Sequence, residues 1–597
     1  MNTTGPDSKA ASRFSLHDPP RTVPEVLARS AALFAGNPAL GPVEGDAATY
    51  ALLHDVVLKQ ADILAQLGVG HGDRVALFCE NRPEWGPAYF SISSLGAVAV
   101  PILTEFHPSA VLHILRHSGA KVLFTSKRCF AKLEDLDRQH LTVIILDDFG
   151  ADFRILPPES LSGRIKDAIR SGLKDRERLQ SLARQLTRES IPAAPGEEDL
   201  DSLVYTSGTT GRAKGVMLTH RNLVSDAWMT RDLVDLSAQD RLLSILPLAH
   251  TIEFTLGFLL PMMCGSQIRY LQGVPSPQTL LEAMAKMKPT YMLSVPLVIE
   301  KIFKRRVQPK LVGNALSRTL YRTALGRKTL HKAAGKKLLQ AFGGCLRGFC
   351  IGGAPLAAET EAFLRDAGFP YAMGYGLTEA SPLVVGTGPD KVRLRSSGRP
   401  LSEVQVRIAV DEEDPARQGP KNSGEKVGEI QVRGPNIMRG YYQEPELTAE
   451  VFTPDGWLRT GDLGTIDSDG YMFIRGRLKN LILGPSGENI YPEEIETVLN
   501  EQDYVLESLA FDLDGKVAAR VFLDYDRLDE AFAWRGRSEF DARQHIENLL
   551  EDVRLKTNAK LSSFSRIIKI IEQTEPFEKT PTHKIKRYLY VGDSPPR

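Results

Sequence analysis

Short apolar runs alternate with helix-period segments along most of the chain. The segment Asp73–Asn81 is typical of a buried strand, the segment that begins at Trp85 of a helix, and Ala97–Leu103 of a second strand. The same alternation returns between about residues 242 and 368. Strands that alternate with helices of this length predict parallel sheets covered by helices, which is an α/β fold.

The pattern changes after about Gly398. Strand-like segments at 403–410 and 427–434 are separated by glycine and proline turns, which predicts a β-rich subdomain at about 398–477. Beyond Arg477, strand and helix patterns mix, which predicts a compact α+β unit. We therefore expect a flexible polar tail at 1–20, a large domain at 21–477 and a small C-terminal domain at 478–597.

Composition excludes several classes of protein. The 597 residues are 42% hydrophobic and 25% charged, which is ordinary for globular domains and excludes disorder, collagen and coiled coil. Lys and Arg number 74 and so do Asp and Glu, so no overall basic field attracts nucleic acid. The 5 cysteines are scattered without a C-x-x-C pair, which favours a reducing, cytoplasmic compartment over a disulfide or zinc framework.

The most apolar segment is Leu242–Gly265. It is interrupted by His250, Glu253 and two prolines, whereas a transmembrane helix needs about 20 mostly apolar residues. The segment therefore predicts buried core or a pocket wall. We expect a protein that is soluble, or at most peripheral to a membrane.

A loop rich in glycine and threonine is the strongest local signal. A strand-like run leads into Thr206, Ser207, Gly208, Thr209, Thr210 and Gly211, and Lys214 follows. Glycines let backbone amides crowd an anion, while hydroxyls and the lysine add donors and charge, so the loop predicts a phosphate cradle. It is not a Walker loop, because Ala213 and Gly215 stand where that pattern requires Gly and Ser or Thr. The alternative is an ordinary turn before a helix.

Further motifs identify the family. The segment 205–216 resembles the phosphate loop of the adenylate-forming enzymes, which include acyl-CoA synthetases, luciferases and the adenylation domains of peptide synthetases. More motifs of that family follow in its order, so that the resemblance covers about residues 20 to 590: Gly374–Glu379, Trp457–Gly464, Arg475–Lys479 and Lys579–Arg587.

The resemblance implies a nucleotide site for ATP. Tyr375 is expected to stack on adenine, Thr378 to contact phosphate and Glu379 to help hold Mg²⁺, while Asp462 and Arg477 bind the ribose. Gly374, Gly376 and Leu377 are further expected members of the nucleotide site from the same motif. A separate turn, Ile351–Pro355, is expected from the resemblance to pass beside adenine and the carboxylate with Gly353, Ala354 and Pro355.

The resemblance also implies a mobile C-terminal domain. Lys584 takes the place of the adenylation lysine, with His583 where glycine is commonest, and Lys579 and Lys586 remain competitors for the role. Lys479 matches the hinge about which the family's C-terminal domain rotates between adenylation and thioester formation. Lys584 lies far from the phosphate loop in sequence, so it acts only when this domain swings onto the nucleotide.

Three features favour long-chain fatty acids and coenzyme A. Leu246–Thr255, with His250 at its centre, resembles the fatty-acyl ligase pattern, and Leu478–Glu496 resembles the post-hinge turn of long-chain ligases, although Asn480 stands where an acidic residue is commoner. The apolar stretch Phe254–Met263 is a candidate lining for an acyl tunnel. The resemblance thus implies ATP-dependent formation of acyl-AMP and then acyl-CoA.

Other functions remain as alternatives. A ligase that stops at acyl-AMP would pass the acyl group to a carrier protein. A non-catalytic lipid- or nucleotide-binding relative predicts the loss of one of five residues, all of which are present: Lys214, Glu379, Asp462, Arg477 and Lys584. A peptide-synthetase module and a luciferase are disfavoured, because nothing in the sequence indicates a carrier domain or oxidation of the adenylate.

The chemistry explains why such residues are needed. A carboxylate is a poor electrophile, and attack on the α-phosphate of ATP converts it to a mixed anhydride with AMP as the leaving group. That step gathers negative oxygens, so catalysis consists mainly of positioning and charge neutralisation. We expect Lys214 and Lys584 to act as cations, a role that needs no shifted pKa.

A basic segment between residues 301 and 337 is unusual by charge alone. No Asp or Glu occurs between Lys301 and Ala358, and leucines interleave with the basic residues at roughly helical spacing. Three interpretations are open: docking to an anionic membrane surface, attraction of CoA phosphates, or a solvated helical insertion. The basic residues are Lys301, Lys304, Arg305, Arg306, Lys310, Arg318, Arg322, Arg327, Lys328, Lys332, Lys336 and Lys337.

Overall fold

A computed structural model of the chain describes residues 18–146, 154–156, 194–207, 213–271, 277–410, 427–484, 489–532, 539–580 and 584–591. We call residues up to 477 the large part and residues 478–591 the C-terminal part. Most of the predicted N-terminal tail, the loop residues Gly208, Thr209, Thr210 and Gly211, and His583 lie outside the described residues.

The first sheet of the large part has nine strands within the described residues. Its central strands are parallel, as the alternating pattern predicts, while antiparallel strands extend both edges. In spatial order the strands are Arg399–Pro400, Leu383–Gly386, Tyr371–Gly376, Gly348–Ile351, Tyr291–Ser294, Arg241–Ser244, Gln267–Tyr270, Pro38–Pro42 and Ala48–Thr49.

The second sheet has eight strands in the described ranges. Its core is the parallel set around Arg74–Phe78, where Val75 to Phe78 are fully buried on both faces, as in a covered parallel sheet. In spatial order the strands are Gly440–Tyr441, Ala213–Thr219, Leu200–Ser207, Val98–Ile102, Arg74–Phe78, Val122–Thr125, Thr142–Ile145 and Arg154–Leu156.

A four-stranded antiparallel sheet follows in the described chain, as the change of pattern after Gly398 predicts. Its strands are Gln405–Ala409, Gly428–Arg433, Leu458–Ile466 and Met472–Arg477. The C-terminal part contains a hairpin and a three-stranded sheet among its described residues. Their strands are Ile482–Leu483, Asn489–Ile490, Val505–Leu513, Lys516–Leu523 and Ile567–Gln573.

Helices cover the sheets and complete the α/β fold. Those of the large part are Val23–Leu33, Tyr50–Gln66, Trp85–Ser94, Pro108–Ser118, Lys127–Phe130, His220–Thr230, Leu260–Met263, Pro277–Met287, Pro296–Ile302, Gln308–Leu311, Ala315–Tyr321, Ala324–Ala341, Ala358–Ala367 and Pro445–Val451. Those of the C-terminal part are Pro492–Asn500, Tyr525–Phe532 and Glu539–Asn558. None of the described helices is long and apolar enough to cross a bilayer.

The apolar segment after His250 forms a π-helix, Ile252–Leu259, which continues into Leu260–Met263. Phe254 and Phe258 are buried and pack against Trp85, with ring centroids 5.8 and 6.1 Å apart. These side chains therefore fill the core between the two large sheets. The acyl-tunnel lining stays a prediction, and the structure shows the rings of these two phenylalanines packed against Trp85.

Candidate active site

The Gly-rich loop joins two antiparallel strands. Thr206 pairs with Lys214 in register, so a strand, Ala213–Thr219, follows the loop in place of the helix that the alternative interpretation requires. The Lys214 ammonium lies 5.4 Å from the ring centroid of Tyr441. Tyr441 belongs to the short strand that pairs with the outer hairpin strand. The hairpin thus carries Thr206 and Lys214 to one edge of the second sheet.

Tyr375, Asp462 and Arg477 form one hydrogen-bonded cluster. The Tyr375 hydroxyl donates to Asp462 Oδ2 at 2.7 Å, and Arg477 Nε lies 3.0 Å from Asp462 Oδ1. Asp462 and Arg477 face each other on neighbouring strands, so their sheet fixes the ion pair. Burial, followed by the charge of Asp462, raises the pKa of Tyr375 well above its usual value. The three side chains that sequence assigned to adenine and ribose therefore lie together.

Glu379 follows directly on the strand that carries Tyr375. It lies in a short 3₁₀ turn with Thr378, and its Oε1 accepts a hydrogen bond of 2.9 Å from the Tyr441 hydroxyl. Burial and the charge of Glu379 raise the pKa of Tyr441, so the phenol stays protonated and remains a donor. Because the same ring lies under Lys214, Tyr441 links the hairpin to the carboxylate.

A turn that contains Gly353 approaches the strand Tyr371–Gly376, which carries Tyr375. Gly353 has a positive φ of 87°, and it begins the exposed turn with Ala354 and Pro355 after the strand Gly348–Ile351. A Cβ on the preceding residue, Gly352, would lie 3.6 Å from the Gly374 carbonyl oxygen. The turn thus lies against the strand that carries Tyr375.

A second close approach fixes the end of that strand. A Cβ on Gly376 would overlap the Pro382 carbonyl, so glycine is required at this position. The next amide, from Leu377, donates to the same carbonyl oxygen at 2.9 Å. This return of the chain sets the orientation of the turn that contains Thr378 and Glu379.

His250 lies in a turn that Asn81 holds from another element. Asn81 Oδ1 accepts from the Leu248 amide at 2.8 Å, and its Nδ2 donates to the Leu246 carbonyl at 2.5 Å. The His250 Nδ1 accepts from the Ile252 amide at 3.3 Å, which leaves the proton of the neutral ring on Nε2. Burial and the nearby charge of Lys584 lower the pKa of His250 to about 4. The ring is therefore a neutral donor at physiological pH.

Glu253, the acidic residue of the same pattern, faces the core. It is almost fully buried, Ser244 Oγ donates to its Oε1 at 2.6 Å, and its Oε2 has no partner among the described atoms. Burial raises the pKa of Glu253 to about 8. The carboxyl group is therefore mostly protonated and neutral near pH 7.

Three basic side chains of the C-terminal motif each pair with a carboxylate. Lys579 pairs with Glu507, Lys586 Nζ lies 3.1 Å from Glu578, and Arg587 lies 2.6 Å from Glu496. These pairs lie within the C-terminal part, and each gives its basic group a local carboxylate.

Lys584 has no hydrogen-bond or ion-pair partner of its side chain among the described residues. Its backbone is held by Thr580, whose amide donates to the Lys584 carbonyl at 2.7 Å. The residue is exposed, and its ammonium lies close enough to Arg477, Asp462 and Glu379 for their charges to act on it. We call the space between these four side chains the candidate cleft. Loss of hydration, followed by the Arg477 charge, lowers the pKa of Lys584 from its ordinary value, and the charges of Asp462 and Glu379 act in the opposite direction.

Comparison with known proteins agrees with this geometry. The family model described as AMP-binding enzyme matches residues 27–442. The chain belongs to the AMP-binding enzyme family. This confirms the resemblance that the motifs indicated and, with it, the α/β fold.

Relatives of this AMP-binding enzyme include ligases of several acids. A long-chain-fatty-acid–CoA ligase of Mycobacterium bovis is 30% identical, over 88% of this chain and 87% of that protein. A feruloyl-CoA synthase of an Amycolatopsis species is 31% identical, over 76% of this chain and 78% of its own. A solved anthranilate CoA ligase in complex with anthranoyl-AMP has a TM-score of 0.71 and 24% identity, covers 97% of each chain, and shows a shared fold.

The predicted hinge of this AMP-binding enzyme lies in a 3₁₀ turn, Leu478–Asn480, directly after the strand that ends at Arg477. Asn480 Nδ2 donates to Glu493 Oε1 at 2.5 Å. This contact gives the unexpected asparagine a reason, because an acidic side chain at position 480 would face another carboxylate. Lys479 lies in the same turn, between the large part and the C-terminal part.

The residues present fit a magnesium ion that arrives with a nucleotide. Within the described ranges, no group of three or more His, Cys, Asp or Glu side chains could hold a metal ion. Mg²⁺ at nucleotide sites is usually held by one or two carboxylates together with substrate phosphates. Glu379 offers one such carboxylate. It accepts a hydrogen bond from Tyr441, whose ring lies beside Lys214 of the hairpin.

Sequence reasoning missed Tyr441 and Asn81. Tyr441 contacts both Glu379 and Lys214, and Asn81 holds the turn of His250. The available signals were a Gly-Tyr pair after a strand and an asparagine at a strand end, and both are too common to be specific. Their importance comes from which elements the fold brings together.

Proposed function

We propose that the protein is an ATP-dependent fatty acid–CoA ligase, which forms acyl-AMP and then acyl-CoA, with AMP and pyrophosphate as the other products. The observation that carries this proposal is the position of Lys584. It is the unpaired basic side chain of the described C-terminal motif, and it lies in the field of Asp462, Arg477 and Glu379. The family membership and the long-chain relatives support the same reaction.

Under this proposal the nucleotide lies in the cleft across the hydrogen-bonded cluster. Tyr375 stacks on adenine, and Asp462 and Arg477 bind the ribose hydroxyls. The turn at Gly353, Ala354 and Pro355, together with Gly374, Gly376 and Leu377, borders the base. The phosphates lie against Thr206, Ser207, Gly208, Thr209, Thr210, Gly211, Lys214 and Thr378. Existing hydrogen bonds already orient Asp462, so little reorganisation accompanies binding.

Adenylation then follows from charge placement. A carboxylate oxygen of the acid attacks the α-phosphorus, the bond to the bridging oxygen breaks, and pyrophosphate leaves with the electron pair. Lys584 donates hydrogen bonds to the oxygens at the reacting centre, and Lys214 neutralises charge on the outer phosphates. Magnesium bound through Glu379 would supply further neutralisation of the phosphates. The neutral His250 ring donates from Nε2 and orients the acid.

Thioester formation uses the second substrate, coenzyme A. Its thiolate attacks the acyl carbon of acyl-AMP, and AMP leaves with the carbon–oxygen bond pair. We propose that residues 21–477 and 478–597 act as two domains, and that rotation about Lys479 removes Lys584 from the cleft before this step. The hinge position between the two parts supports this division.

The substrate class and the acceptor are tested together by mass spectrometry. Purified protein receives MgATP, CoA and an equimolar mixture of short to very long fatty acids with ferulate and anthranilate added. We expect acyl-CoA products biased toward long chains. An aryl-CoA product would move the enzyme to the aryl-acid ligases, and acyl-AMP without acyl-CoA would indicate a carrier-protein acceptor. No adenylate from any acid would contradict the proposed function.

We also propose that one exposed face of this enzyme contacts anionic membrane surfaces. The helix Ala315–Tyr321 has no buried residue, and Leu316, Leu320 and Leu325 are 73%, 43% and 79% exposed. The same stretch of chain carries exposed basic residues: Arg318, Arg322, Arg327, Lys328, Lys332, Lys336 and Lys337. Exposed apolar side chains with a basic surround suit an anionic lipid surface, in which a long-chain acid is dissolved.

Vesicle flotation tests the face directly. We expect binding to vesicles that contain phosphatidylglycerol, weaker binding to pure phosphatidylcholine, and loss of binding in the double variant Leu316→Ser, Leu325→Ser. Leu58→Ser, at a half-exposed leucine on another helix, is the matched control. Equal binding to both vesicle types contradicts the proposal, and a raised KM for CoA in Lys328→Ala would assign the charges to CoA instead.

A further inference from the structure

The first third of the basic segment faces the C-terminal part of the molecule. Lys304 Nζ donates to the backbone carbonyl of Asn500, and Arg305 Nη2 lies 3.7 Å from Asp524 Oδ2. Burial and the charges of Arg305 and Lys579 lower the pKa of Lys301, and the carboxylates of Glu507 and Asp524 act in the opposite direction. Lys304 and Arg305 differ from the exposed residues 316–337, because their partners lie in the C-terminal part.

The contact of Lys304 completes a helix end. Asn500 is the last residue of the helix Pro492–Asn500, whose last turn contains no basic residue of its own. The final carbonyls of a helix have no intrahelical donors and carry partial negative charge. A lysine from the large part therefore supplies the cation that this helix lacks.

The surrounding charges favour the same contact. Burial lowers the pKa of Lys304, and the carboxylates of Glu300, Glu359, Glu501 and Asp503 act in the opposite direction. Two of these, Glu501 and Asp503, belong to the C-terminal part. A half-buried ammonium that is surrounded by acidic groups loses much of its stabilisation when those groups move away.

Lys304 lies on a turn of the large part that is anchored by buried apolar side chains. Lys304 and Arg305 lie in a π-helical turn, Phe303–Val307, whose end residues are buried. Phe303 packs against Phe363 with ring centroids 4.9 Å apart. Of the three basic residues in this turn, Lys304 and Arg305 therefore contact the C-terminal part, while Phe303 and Val307 stay in the core.

We propose that Lys304 and Arg305 are positioning residues that hold the C-terminal part in the orientation that delivers Lys584 to the nucleotide. This inference rests on the proposed function, and it adds which contact selects the adenylation step. The present orientation contains both the Lys304–Asn500 contact and Lys584 in the cleft. Rotation about Lys479 for thioester formation would break the first contact when it removes the second.

The test separates the two half-reactions. Acid-dependent pyrophosphate release without CoA measures adenylation, and conversion of synthetic acyl-AMP with CoA measures thioester formation. We expect Lys304→Met to slow adenylation about tenfold, because the variant loses one charge-assisted hydrogen bond. Thioester formation should be unchanged or faster. Arg305→Gln should slow adenylation by a smaller factor, about twofold, because its ion pair is largely exposed.

Two further variants complete the test. Arg306→Met changes the neighbouring exposed arginine and should match the unmodified enzyme in both assays. Lys304→Arg keeps the charge and the donors and should restore most of the adenylation rate. Equal losses in both half-reactions would make Lys304 a general structural residue, and an unchanged adenylation rate in Lys304→Met would contradict the proposal. Failure of the unmodified enzyme to form any acyl-AMP would instead refute the proposed function.

Discussion

The two sides of the candidate cleft are built in different ways. On the large-part side, Asp462 accepts from Tyr375 at 2.7 Å and pairs with Arg477 at 3.0 Å, and strand pairing fixes the distance between the partners. On the C-terminal side, Lys584 reaches the cleft without a side-chain partner in the described chain. The first side is pre-organised, whereas the second depends on where the C-terminal part stands.

This difference indicates a division of labour. Under the proposed function, residues of the pre-organised side serve both half-reactions, so changes there should affect both. Under the proposed function Lys584 is in place in one orientation of the C-terminal part, and in this structure the charge of Arg477 opposes that of Lys584. Changes at Lys584 should therefore affect one half-reaction and spare the other.

Lys584→Ala should have the largest effect on adenylation. Adenylation should fall about 100-fold to 1,000-fold, which is typical for the loss of a group that stabilises transition-state charge. Conversion of synthetic acyl-AMP to acyl-CoA should stay near the normal rate. Lys586→Ala, whose side chain pairs with Glu578, is the control and should keep adenylation. A Lys584 variant that adenylates normally would reassign the catalytic lysine.

Asp462→Asn should weaken both half-reactions. The change removes the charge that pairs with Arg477 and leaves that guanidinium without its carboxylate. We expect KM for ATP to rise about tenfold to 100-fold, with a similar loss in the use of acyl-AMP. Tyr375→Phe, which removes a single hydrogen bond, should give a smaller loss in the same assays. A loss confined to adenylation would remove the distinction between the two sides.

Glu379→Gln should shift the magnesium dependence of adenylation. Glutamine still accepts a hydrogen bond from Tyr441 but carries no charge, so the magnesium concentration for half-maximal rate should rise about tenfold. A magnesium titration of pyrophosphate release measures the change. Tyr441→Phe keeps the carboxylate but removes the hydrogen bond that orients it, so the required magnesium concentration should rise by a smaller factor. An unchanged titration in Glu379→Gln would refute a metal-binding role.

Glu253→Gln should change the dependence of stability on pH. Burial holds the pKa of Glu253 at about 8, above its ordinary value of 4.5, so the folded state binds the extra proton. The stability of the unmodified protein therefore decreases as pH rises from about 4.5 through about 8. The variant should lack this contribution and unfold a few degrees higher than the unmodified protein at about pH 9. Parallel curves for the two proteins would contradict this protonation state.

Asn480→Asp should have the smallest effect. The change places a second carboxylate against Glu493 and should destabilise the turn after Lys479 by about 1 kcal/mol. Asn480→Ala removes the hydrogen bond without adding charge and should cost less. Thermal unfolding compares the two variants. Equal unfolding midpoints for the two variants would show that the added carboxylate is solvated and that repulsion from Glu493 does not explain the asparagine.

Sequence predicted the elements whose signal is local. The apolar run at Val75–Phe78 is a buried strand because parallel sheets are covered on both faces, and the motif order predicted that Tyr375, Asp462 and Arg477 come together. The π-helix at Ile252–Leu259 was not predicted, because its apolar residues suit any buried helix. The division of the basic segment was not predicted either. Lys304 and Lys328 have similar local surroundings in sequence, and only the fold gives Lys304 a helix end to contact.

The central claim is that Lys584, rather than another lysine of the C-terminal motif, faces the nucleotide. Mass spectrometry of brief lysine acylation, with and without MgATP, measures this for each lysine in the intact protein. Lys584 is accessible and has a lowered pKa, so it should react fastest and be protected by MgATP. Lys579 and Lys586, which are paired with carboxylates, should react slowly in both conditions. Protection by MgATP at Lys579 or Lys586, with Lys584 unaffected, would contradict the account.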